Sequence, residues 1–278
     1  RRVDWQWACN GGATLTHGWK PKRGFLPYRW QGYDEALLLY VLGLGSPTHP
    51  LPAQSYLAWV SSYEWKEIDG YELLYAGPLF IHQYSHCWLD LRGIQDAFMR
   101  DKGIDYFENS RRATLAQRTY AIRNPLEFVG YGANFWGLTA SDGPGFTTRR
   151  IGGNDRNFFN YVARGAPYGP DDGTIAPWAV AASLPFAPEI VLPTIRHLQD
   201  AFPEASGKYC FLCSVNATYR SDPEILLPWT SDNHFGIHVV PIVMMVENFR
   251  PGLLWRLTRA CTYVIPCLRR VGIRNGSL

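Results

Sequence analysis

Three long stretches without helical periodicity separate the apolar segments of this chain. They cover residues 11–31, 130–173 and 206–233, and they are rich in Gly, Pro, Thr and aromatic residues. Loops of this length are uncommon in a compact domain and are usually functional. The sequence therefore predicts helices that carry long loops, with a cleft built from those loops at one end of the molecule.

The segments between the loops have the pattern of helices. Residues 34–44 are apolar after two acidic residues, which is typical of a helix buried on most sides. Further helices are predicted over residues 52–63, 80–100, 106–123, 177–184, 188–202, 242–248 and 252–270. Residues 14–19 and 24–29 are expected to pair as a β-hairpin beside the cleft. We find no repeat, low-complexity tract or linker, so we expect one all-α domain over residues 1–278.

The aromatic content narrows the class of ligand. Eleven Trp, sixteen Tyr and fourteen Phe make up 15% of the chain. A large aromatic core would use some of these rings, but flat rings also stack on the apolar faces of sugars. The net charge of +3 includes no basic block, which argues against a nucleic-acid partner. No apolar run reaches the roughly 18 residues of a membrane span. A neutral oligo- or polysaccharide is the expected partner.

Two adjacent carboxylates, Asp34 and Glu35, open the most apolar helix. An acid at a helix N-terminus is a usual capping residue, and Asp34 fits that role. Glu35 precedes an alanine and three leucines, and a carboxyl group that faces an apolar cleft has the raised pKa of a general acid. The helix N-terminus lowers the same pKa, so the sequence leaves the balance open. Trp30 and Tyr33 are candidate substrate-binding residues beside this pair.

A second motif contains His82, His86 and Asp90, which are spaced to share one face of a helix. A zinc-protease helix has a glutamate directly after its first histidine, and Gln83 stands there instead. We therefore predict no metal site and no cofactor, but a polar network that lines the cleft, with Trp88 as a platform for a sugar ring. The candidate substrate-binding residues of this segment are His82, Gln83, His86, Trp88 and Arg92.

Two Gly/Asp loops contain Asp142 and Asp172. Taken alone, each loop is typical of a turn with Asx hydrogen bonds. Together with Trp136 and Trp178, the loops become candidates for holding sugar hydroxyl groups. Asp142 and Asp172 are accordingly the candidates within this chain for a second catalytic carboxyl group.

The six cysteines are interpreted as core or loop residues. Cys210 and Cys213 have the spacing of a metal-binding pair, but no second pair lies at zinc-ligand spacing. A disulfide between neighbouring cysteines stays open. The glycine motifs of serine hydrolases and of nucleotide-binding proteins are absent from the sequence.

Several runs of residues resemble the bacterial glucoamylase-like (glycoamylase) family. They are GYDEA at 32–36, LGSPTHP at 44–50, AGPLFIHQ at 76–83, ENSRRAT at 108–114, GLTASDGP at 137–144 and DGTIAP at 172–177. The resemblance extends from Arg1 to about Gly272. The family includes endo-β-1,2-glucanases and the transglycosylating domain of cyclic β-1,2-glucan synthases. The resemblance therefore implies an (α/α)6 toroid that acts on glucans, with the β-1,2 linkage favoured.

The resemblance also assigns residues. Glu35 matches a family glutamate believed to act in catalysis. Motif residues that match the lining of the family's cleft are His82, Trp88, Arg92, Arg111, Trp136, Asp142 and Asp172. Family members have a preceding segment with acidic residues on an inner helix, whereas this sequence opens at Arg1 in what resembles the end of a helix. We expect the chain to be the C-terminal portion of a longer one, with a toroid incomplete at its N-terminal side.

One motif departs from the family pattern. Residues 234–241 read HFGIHVVP, where the family pattern resembles His-Phe-Gly-Ile-Asp-Gln-Gly-Pro. His238, a further substrate-binding candidate, stands where an acid is usual, and Val240 stands where glycine is usual. The leading hypothesis is a monomeric glycoside hydrolase or transglycosylase that uses carboxyl acid/base chemistry, with a periplasmic or extracellular location favoured. The alternative is a catalytically impaired, carbohydrate-binding pseudoenzyme.

Overall fold

The structure is a computed structural model that describes residues 2–220 and 227–273, except for the side chains of residues 265–267. Arg1, the Cys267 side chain and part of the predicted loop 206–233 lie outside the described residues. In the described ranges the α-helices are α1 Trp5–Ala8, α2 Leu37–Leu44, α3 Ala53–Val60, α4 Tyr84–Trp88, α5 Ala97–Asp101, α6 Tyr106–Arg123, α7 Pro177–Ala182, α8 Pro188–Ala201, α9 Gly236–Phe249, α10 Leu253–Arg259 and α11 Val264–Arg270. Short 3-10 helices cover Leu79–His82 and Pro203–Ala205.

The strands are short and lie in the connections between helices. They are β1 Trp19–Lys20, β2 Gly24–Phe25, β3 Trp65–Ile68, β4 Tyr71–Leu74, β5 Ala140–Ser141, β6 Thr147–Ile151, β7 Asn154–Phe158, β8 Val162–Ala163, β9 Thr174–Ile175, β10 Ser206–Gly207, β11 Cys210–Phe211, β12 Val215–Asn216 and β13 Trp229–Thr230. The antiparallel pairs are β1–β2, β3–β4, β5–β8, β6–β7 and β10–β11, and one three-stranded sheet has the order β13-β12-β9. The protein is therefore mainly helical, with small sheets that decorate its loops.

Two large apolar clusters form the interior. The first surrounds α7, whose residues are all buried, and it includes Trp136 and Met245. The second surrounds α2 and includes Tyr40, Tyr56 and Trp59. Helix α7 packs against α8 and α9, while α2 packs against α4 and α11. Since α4 also packs against α9, helices α2, α4 and α9 are brought together where the two clusters meet.

Local signals predicted several elements correctly. Helix α6 has the predicted bounds, because Asp105 accepts a hydrogen bond from the Glu108 amide at its start and Asn124 adopts a left-handed conformation at its end. The predicted hairpin is confirmed by the pairing of β1 with β2 and by a bridge between Thr16 and Arg29. Helix α2 begins three residues later than expected, since Asp34 accepts a hydrogen bond from the Ala36 amide and holds a turn there.

The single helix expected over residues 80–100 is wrong. The segment contains a 3-10 turn, then α4, then α5. Gly93 between α4 and α5 has a φ of 71°, and Asp96 starts α5 by accepting a hydrogen bond from the Met99 amide. His82, His86 and Asp90 therefore do not share one helical face.

The last predicted pair of helices is also divided differently. Helix α9 begins at Gly236 and continues through Pro241, and the segment 252–270 is broken into α10 and α11. No single helix in the described ranges is long and apolar enough to cross a membrane. Helices α9 and α10, which meet at 84°, pass that test only when they are taken together.

Candidate active site

A groove of about 430 Å³ lies between α2, α4 and α9. Its lining residues are Trp30, Glu35, Leu38, Leu39, Tyr84, Cys87, Trp88, Gly236, Ile237, Val240, Pro241 and Met244. Among these described residues, Glu35 is the only one with an ionisable carboxyl group. Apolar walls with few, well-placed polar groups are typical of small-molecule and sugar sites.

Glu35 lies in the turn that leads into α2 and is partly buried. Burial raises the pKa of its carboxyl group above the usual 4.5, and a hydrogen bond with its own backbone offsets only part of the rise. The sequence left open whether the apolar cleft raises the pKa of Glu35 or the helix N-terminus lowers it. In the structure burial has the larger effect, and the pKa is raised. A carboxyl group with a raised pKa retains its proton to higher pH, as a general acid requires.

The neighbouring Asp34 has a structural position. Its Oδ1 accepts hydrogen bonds from the Ala36 amide at 2.9 Å and from Trp59 Nε1 at 3.2 Å. Burial raises the pKa of Asp34 to about 7, and these hydrogen bonds act in the opposite direction. Asp34 therefore secures the turn before α2, and through it the position of Glu35.

Helix α9 fixes the hydroxyl group of Tyr84, a groove residue that sequence reasoning missed. Pro241 has no N–H group and cannot donate to the carbonyl of Ile237 one turn earlier. The Tyr84 hydroxyl donates to that carbonyl at 3.1 Å. Because Pro241 leaves the Ile237 carbonyl without its usual helical donor, Tyr84 can bond to it. This hydrogen bond joins α4 to α9 beside the groove.

A column of aromatic rings runs from Tyr84 into the protein. The Tyr84 ring stacks on Trp178 with centroids 6.2 Å apart, and Trp178 stacks on His238 at 4.6 Å with an interplanar angle of 8°. His238 in turn stacks on Tyr161 at 6.0 Å. Trp178 and His238 are buried, whereas Tyr161 is about half exposed.

His238 lies one layer behind the groove rather than in its lining. Its Nε2 is 3.1 Å from the Tyr161 hydroxyl, and its Nδ1 is 3.2 Å from the Cys213 Sγ. Burial lowers the pKa of His238 to about 4, so the ring is neutral near pH 7. Both ring nitrogens have partners within the protein, and a direct contact of His238 with substrate stays a prediction.

Asp142 is held by a set of hydrogen-bond donors. Ser214 Oγ donates to Oδ1 at 2.7 Å, while Ser231 Oγ and Asn233 Nδ2 donate to Oδ2 at 2.5 and 3.2 Å. Burial by itself would raise the pKa of Asp142, but hydrogen bonds from Cys213 and these three residues outweigh it and lower the pKa. Asp142 is therefore a buried, ionised carboxylate.

The aromatic column has a carboxyl group in the neighbourhood of each end. Burial is the main cause of the raised pKa of Tyr84, and Glu35 is among the neighbours that raise it further. At the other end of the column, the charge of Asp142 raises the pKa of both His238 and Tyr161, although burial outweighs it at His238.

Asp172, the other candidate for the second carboxyl group, lies in the interior. Arg164 Nε donates to its Oδ1 at 2.7 Å and Nη2 to its Oδ2 at 2.8 Å, and both residues are fully buried. The amides of Phe159 and Thr174 also donate to this carboxylate. The ion pair holds the Gly/Asp loops together and leaves Asp172 outside the groove.

The predicted polar network of histidines is buried as well. His82 Nε2 is 3.1 Å from the Ala76 carbonyl oxygen, and His86 Nε2 is 3.0 Å from the Ser110 hydroxyl. Burial lowers the pKa of His82 to about 4 and that of His86 to about 3. Tyr33, also buried, packs against the His82 ring at 5.2 Å. These residues support the groove from behind and do not line it.

Gln83 and Trp136 are core residues rather than groove residues. Gln83 Nε2 donates to the Ala179 carbonyl at 2.7 Å and to the Ser183 hydroxyl at 2.9 Å. Trp136 Nε1 donates to Thr194 Oγ1 at 2.9 Å. Gln83 is thereby bonded to α7, which contains Trp178 of the aromatic column, and Trp136 is bonded to the neighbouring α8.

The two predicted arginines lie at the surface. Arg92 pairs with Asp90 at 2.7 Å and lies over the Trp255 ring at 4.8 Å. Arg111 pairs with Glu189 at 3.2 Å. Neither arginine lines the groove.

Of the predicted residues, the groove therefore brings together Trp30, Glu35 and Trp88. Tyr84 was missed because a continuous helix over 80–100 would have turned it away from the histidine face. The donors to Asp142 carried no local signal, since they lie more than 70 residues further along the chain. Residues 2–220 and 227–273 contain no group of three His, Cys, Asp or Glu that could hold a metal ion. Within the same ranges Cys9, Cys87, Cys210, Cys213 and Cys261 are free thiols.

Known proteins resemble this chain over most of its length. The exo β-1,2-glucooligosaccharide sophorohydrolase (non-reducing end) of Parabacteroides distasonis is 26% identical over 286 residues, covering 92% of this chain and 36% of that protein. A crystal structure of a "putative glucoamylase" from Bacteroides fragilis matches with a TM-score of 0.85 and 32% identity over 99% of this chain and 62% of its own. The endo-β-1,2-glucanase of Chitinophaga pinensis, solved with sophorotriose and glucose, matches with a TM-score of 0.84 and 29% identity, over 99% of this chain and 63% of its own.

The chain thus spans about a third of the curated relative and less than two thirds of these solved structures. The family model described as "Putative glucoamylase" matches residues 27–262, which is most of the chain. This match places Glu35, the aromatic column and Asp142 inside the family region, and the protein belongs to the glycoamylase family.

Proposed function

We propose that this chain is the part of a glycoside hydrolase or transglycosylase that cleaves β-1,2-linked glucan, with Glu35 as general acid and Asp142 as its anionic partner. One observation carries the assignment: Glu35 is the carboxyl group in the lining of an apolar groove, whereas Asp142 accepts hydrogen bonds from three side chains, so burial raises the pKa of Glu35 and the donors lower that of Asp142. Carboxyl groups with pKa values pushed apart are the usual acid/base arrangement of glycosidases. Two of the related proteins, the sophorohydrolase and the endo-β-1,2-glucanase, are named for action on β-1,2-linked glucans, which supports this linkage.

The proposed reaction uses the groove as follows. Trp30 and Trp88 pack against the apolar faces of the glucose units. Protonated Glu35 donates its proton to the glycosidic oxygen as the bond to the anomeric carbon breaks. Water, or a sugar hydroxyl in the transfer reaction, then adds to that carbon and loses a proton, and the fixed negative charge of Asp142 favours the positive charge that develops.

The proton that the nucleophile loses needs a route to Asp142, because that carboxylate lies behind the groove. Tyr161, His238 and Cys213 form a chain of polar contacts from a half-exposed hydroxyl group to the neighbourhood of Asp142. We assign this chain to proton transfer. In this role a neutral His238 is suitable, since it can accept a proton on one nitrogen and release one from the other.

The proposal extends to the fold. We infer that the helices are part of an (α/α)6 toroid whose central cleft contains the groove. The TM-scores of 0.84–0.86 to solved glucoamylase-like proteins support this architecture.

Replacement of Glu35 tests the assignment. In the complete gene product we expect Glu35→Gln to lower kcat on linear β-1,2-glucan by about 10²–10⁴, the usual contribution of a general acid. Reducing ends released per minute are the measurement, and circular dichroism confirms folding. Glu67→Gln, at an exposed position on β3, is the matched control and should have wild-type turnover. A folded Glu35→Gln variant with wild-type kcat would contradict the role of Glu35.

The second candidate function is carbohydrate binding without turnover. It is favoured by His238, whose ring is neutral and already has partners on both nitrogens. In that case calorimetry would detect glucan binding by the complete wild-type protein, while no reducing ends would be released. Glu35→Gln would then leave the measured affinity unchanged.

A further inference from the structure

A row of aromatic rings leads outward from the groove along the β1–β2 hairpin. Trp30 lines the groove and stacks on His17, with ring centroids 4.1 Å apart and planes at 28°. The His17 amide donates to the Tyr28 carbonyl at 3.0 Å, so these two residues face each other across the hairpin. Their rings are 6.1 Å apart. Three neighbouring rings therefore lead from the groove to the surface.

Tyr28 at the outer end of this row is 67% exposed. Because most of the Tyr28 side chain is exposed, packing within the fold does not explain why an aromatic residue occupies this position. Exposed apolar surface that is continuous with a binding groove is typical of a ligand contact. A row of rings with polar edges offers stacking surface to a chain of neutral sugars.

The hairpin that holds this row is fixed to the body of the protein. Arg29, which follows Tyr28, donates from Nη1 to the carbonyl oxygens of Cys9 at 2.7 Å and Thr14 at 2.6 Å. A Cβ at Gly12 would lie 2.2 Å from the Arg29 guanidinium carbon, so glycine leaves the space that this side chain occupies. The row is therefore part of a built surface, which lowers the entropic cost of binding.

We propose that Trp30, His17 and Tyr28 extend the groove and bind the glucose units of a long glucan beyond those held next to Glu35. This inference rests on the proposed function, since it assigns the chain length of the same substrate. The occupant is a neutral β-linked glucan chain, because the row is continuous with the groove through Trp30 and contains no carboxylate or ammonium group. The protein should then prefer long chains over short oligosaccharides.

The test compares Tyr28→Ala with Tyr168→Ala, a matched control whose ring is 69% exposed and packs on Tyr75 instead. Both variants are made together with Glu35→Gln, so that the ligand is not cleaved, and calorimetry with linear β-1,2-glucan of long chain length and with a trisaccharide of the same linkage gives the affinities. We expect Tyr28→Ala to raise the Kd for the long glucan by about fivefold to tenfold, the loss of one aromatic contact. Its Kd for the trisaccharide should change less than twofold, and Tyr168→Ala should change neither.

The alternative contact on the hairpin is its basic turn, which contains Lys20, Lys22 and Arg23. Weaker binding of the long glucan by Lys22→Ala, together with unchanged binding by Tyr28→Ala, would overturn the proposal in favour of this turn. If Tyr28→Ala weakens the binding of both ligands equally, or weakens the binding of neither, the proposed extension is wrong. The assignment of the groove next to Glu35 is unaffected by that result. A wild-type protein that binds neither ligand would overturn the proposed function together with the extension.

Discussion

At the scale of single residues, Glu35 and Asp142 differ in their neighbours more than in their burial. Burial acts in the same direction on both carboxyl groups. Asp142 has three side-chain donors within 3.2 Å, which compensate the cost of removing its charge from water. Glu35 faces carbon atoms of the groove and has no comparable set among the described residues. Glu35 thereby holds its proton more readily, while Asp142 is charged before the proposed reaction begins and can accept the proton that the nucleophile loses.

The buried histidines make a prediction about stability. His82 is neutral when folded, with a pKa lowered to about 4, whereas an unfolded histidine titrates near 6.5. Above pH 6.5 neither state is protonated. Between about pH 6.5 and 4 only the unfolded state binds the proton, so the free energy of unfolding falls as the pH falls.

We expect the stability difference between wild type and His82→Gln to shrink by up to about 1.4 kcal/mol per pH unit across that window. Urea unfolding curves measured at half-unit steps from pH 7.5 to 4 provide the difference, in which the other titrating groups cancel. A difference that is constant with pH would show that His82 has the same pKa in the folded and unfolded states, which would contradict the lowering of its pKa by burial.

At the scale of elements, helix ends decide the geometry of the site. Helix α6 is positioned by Asp105, whose Oδ1 accepts from the Glu108 amide and whose Oδ2 accepts from the Gly93 amide, both at 2.7 Å. The same carboxylate thus caps α6 and fixes the turn that follows α4. Helix α9 is positioned in a different way. The Tyr84 hydroxyl donates a hydrogen bond to the Ile237 carbonyl, for which Pro241 has no N–H group to donate.

Asp105→Ala should therefore destabilise the protein by about 1–2 kcal/mol, the usual effect of removing an N-cap side chain. Asp105→Asn keeps one acceptor oxygen and should cost less. Chemical denaturation at pH 7 measures both variants. Equal stability of Asp105→Ala and wild type would mean that water replaces the side chain at both amides.

At the scale of the whole molecule, the two apolar clusters join early and late parts of the chain. Leu268 of α11 is 4% exposed and belongs to the same cluster as Leu37 and Leu44 of α2. Arg270 donates to the Leu44 carbonyl at 3.0 Å and strengthens this contact. Helices separated by more than 200 residues therefore form one core.

This arrangement predicts one cooperative unfolding transition. Leu268→Ala removes buried atoms and leaves a cavity, which should cost about 2–5 kcal/mol and move the entire transition to lower temperature. Differential scanning calorimetry compares the calorimetric and van't Hoff enthalpies. Two resolved transitions, only one of which moves in the variant, would show that the clusters unfold as separate domains.

The sequence alone predicted what depends on neighbours along the chain. Helix α6 was predicted with its bounds because its polar helical pattern and the Asn124–Pro125 pair that ends it lie within one segment. The hairpin and the motif around Glu35 were found for the same reason. The family resemblance was visible because short motifs survive as contiguous runs, and the family match over residues 27–262 confirms it.

Only the tertiary structure distinguished the two candidates for the second carboxyl group. Asp142 and Asp172 occupy similar Gly/Asp loops in the sequence, yet Arg164 neutralises Asp172 in the interior, while Ser231 and Asn233 hold Asp142 near the aromatic column. The free energy of a buried charge depends on donors within a few ångström, and here two of those donors are about 90 residues away. No local pattern records such partners, because folding alone brings them into contact.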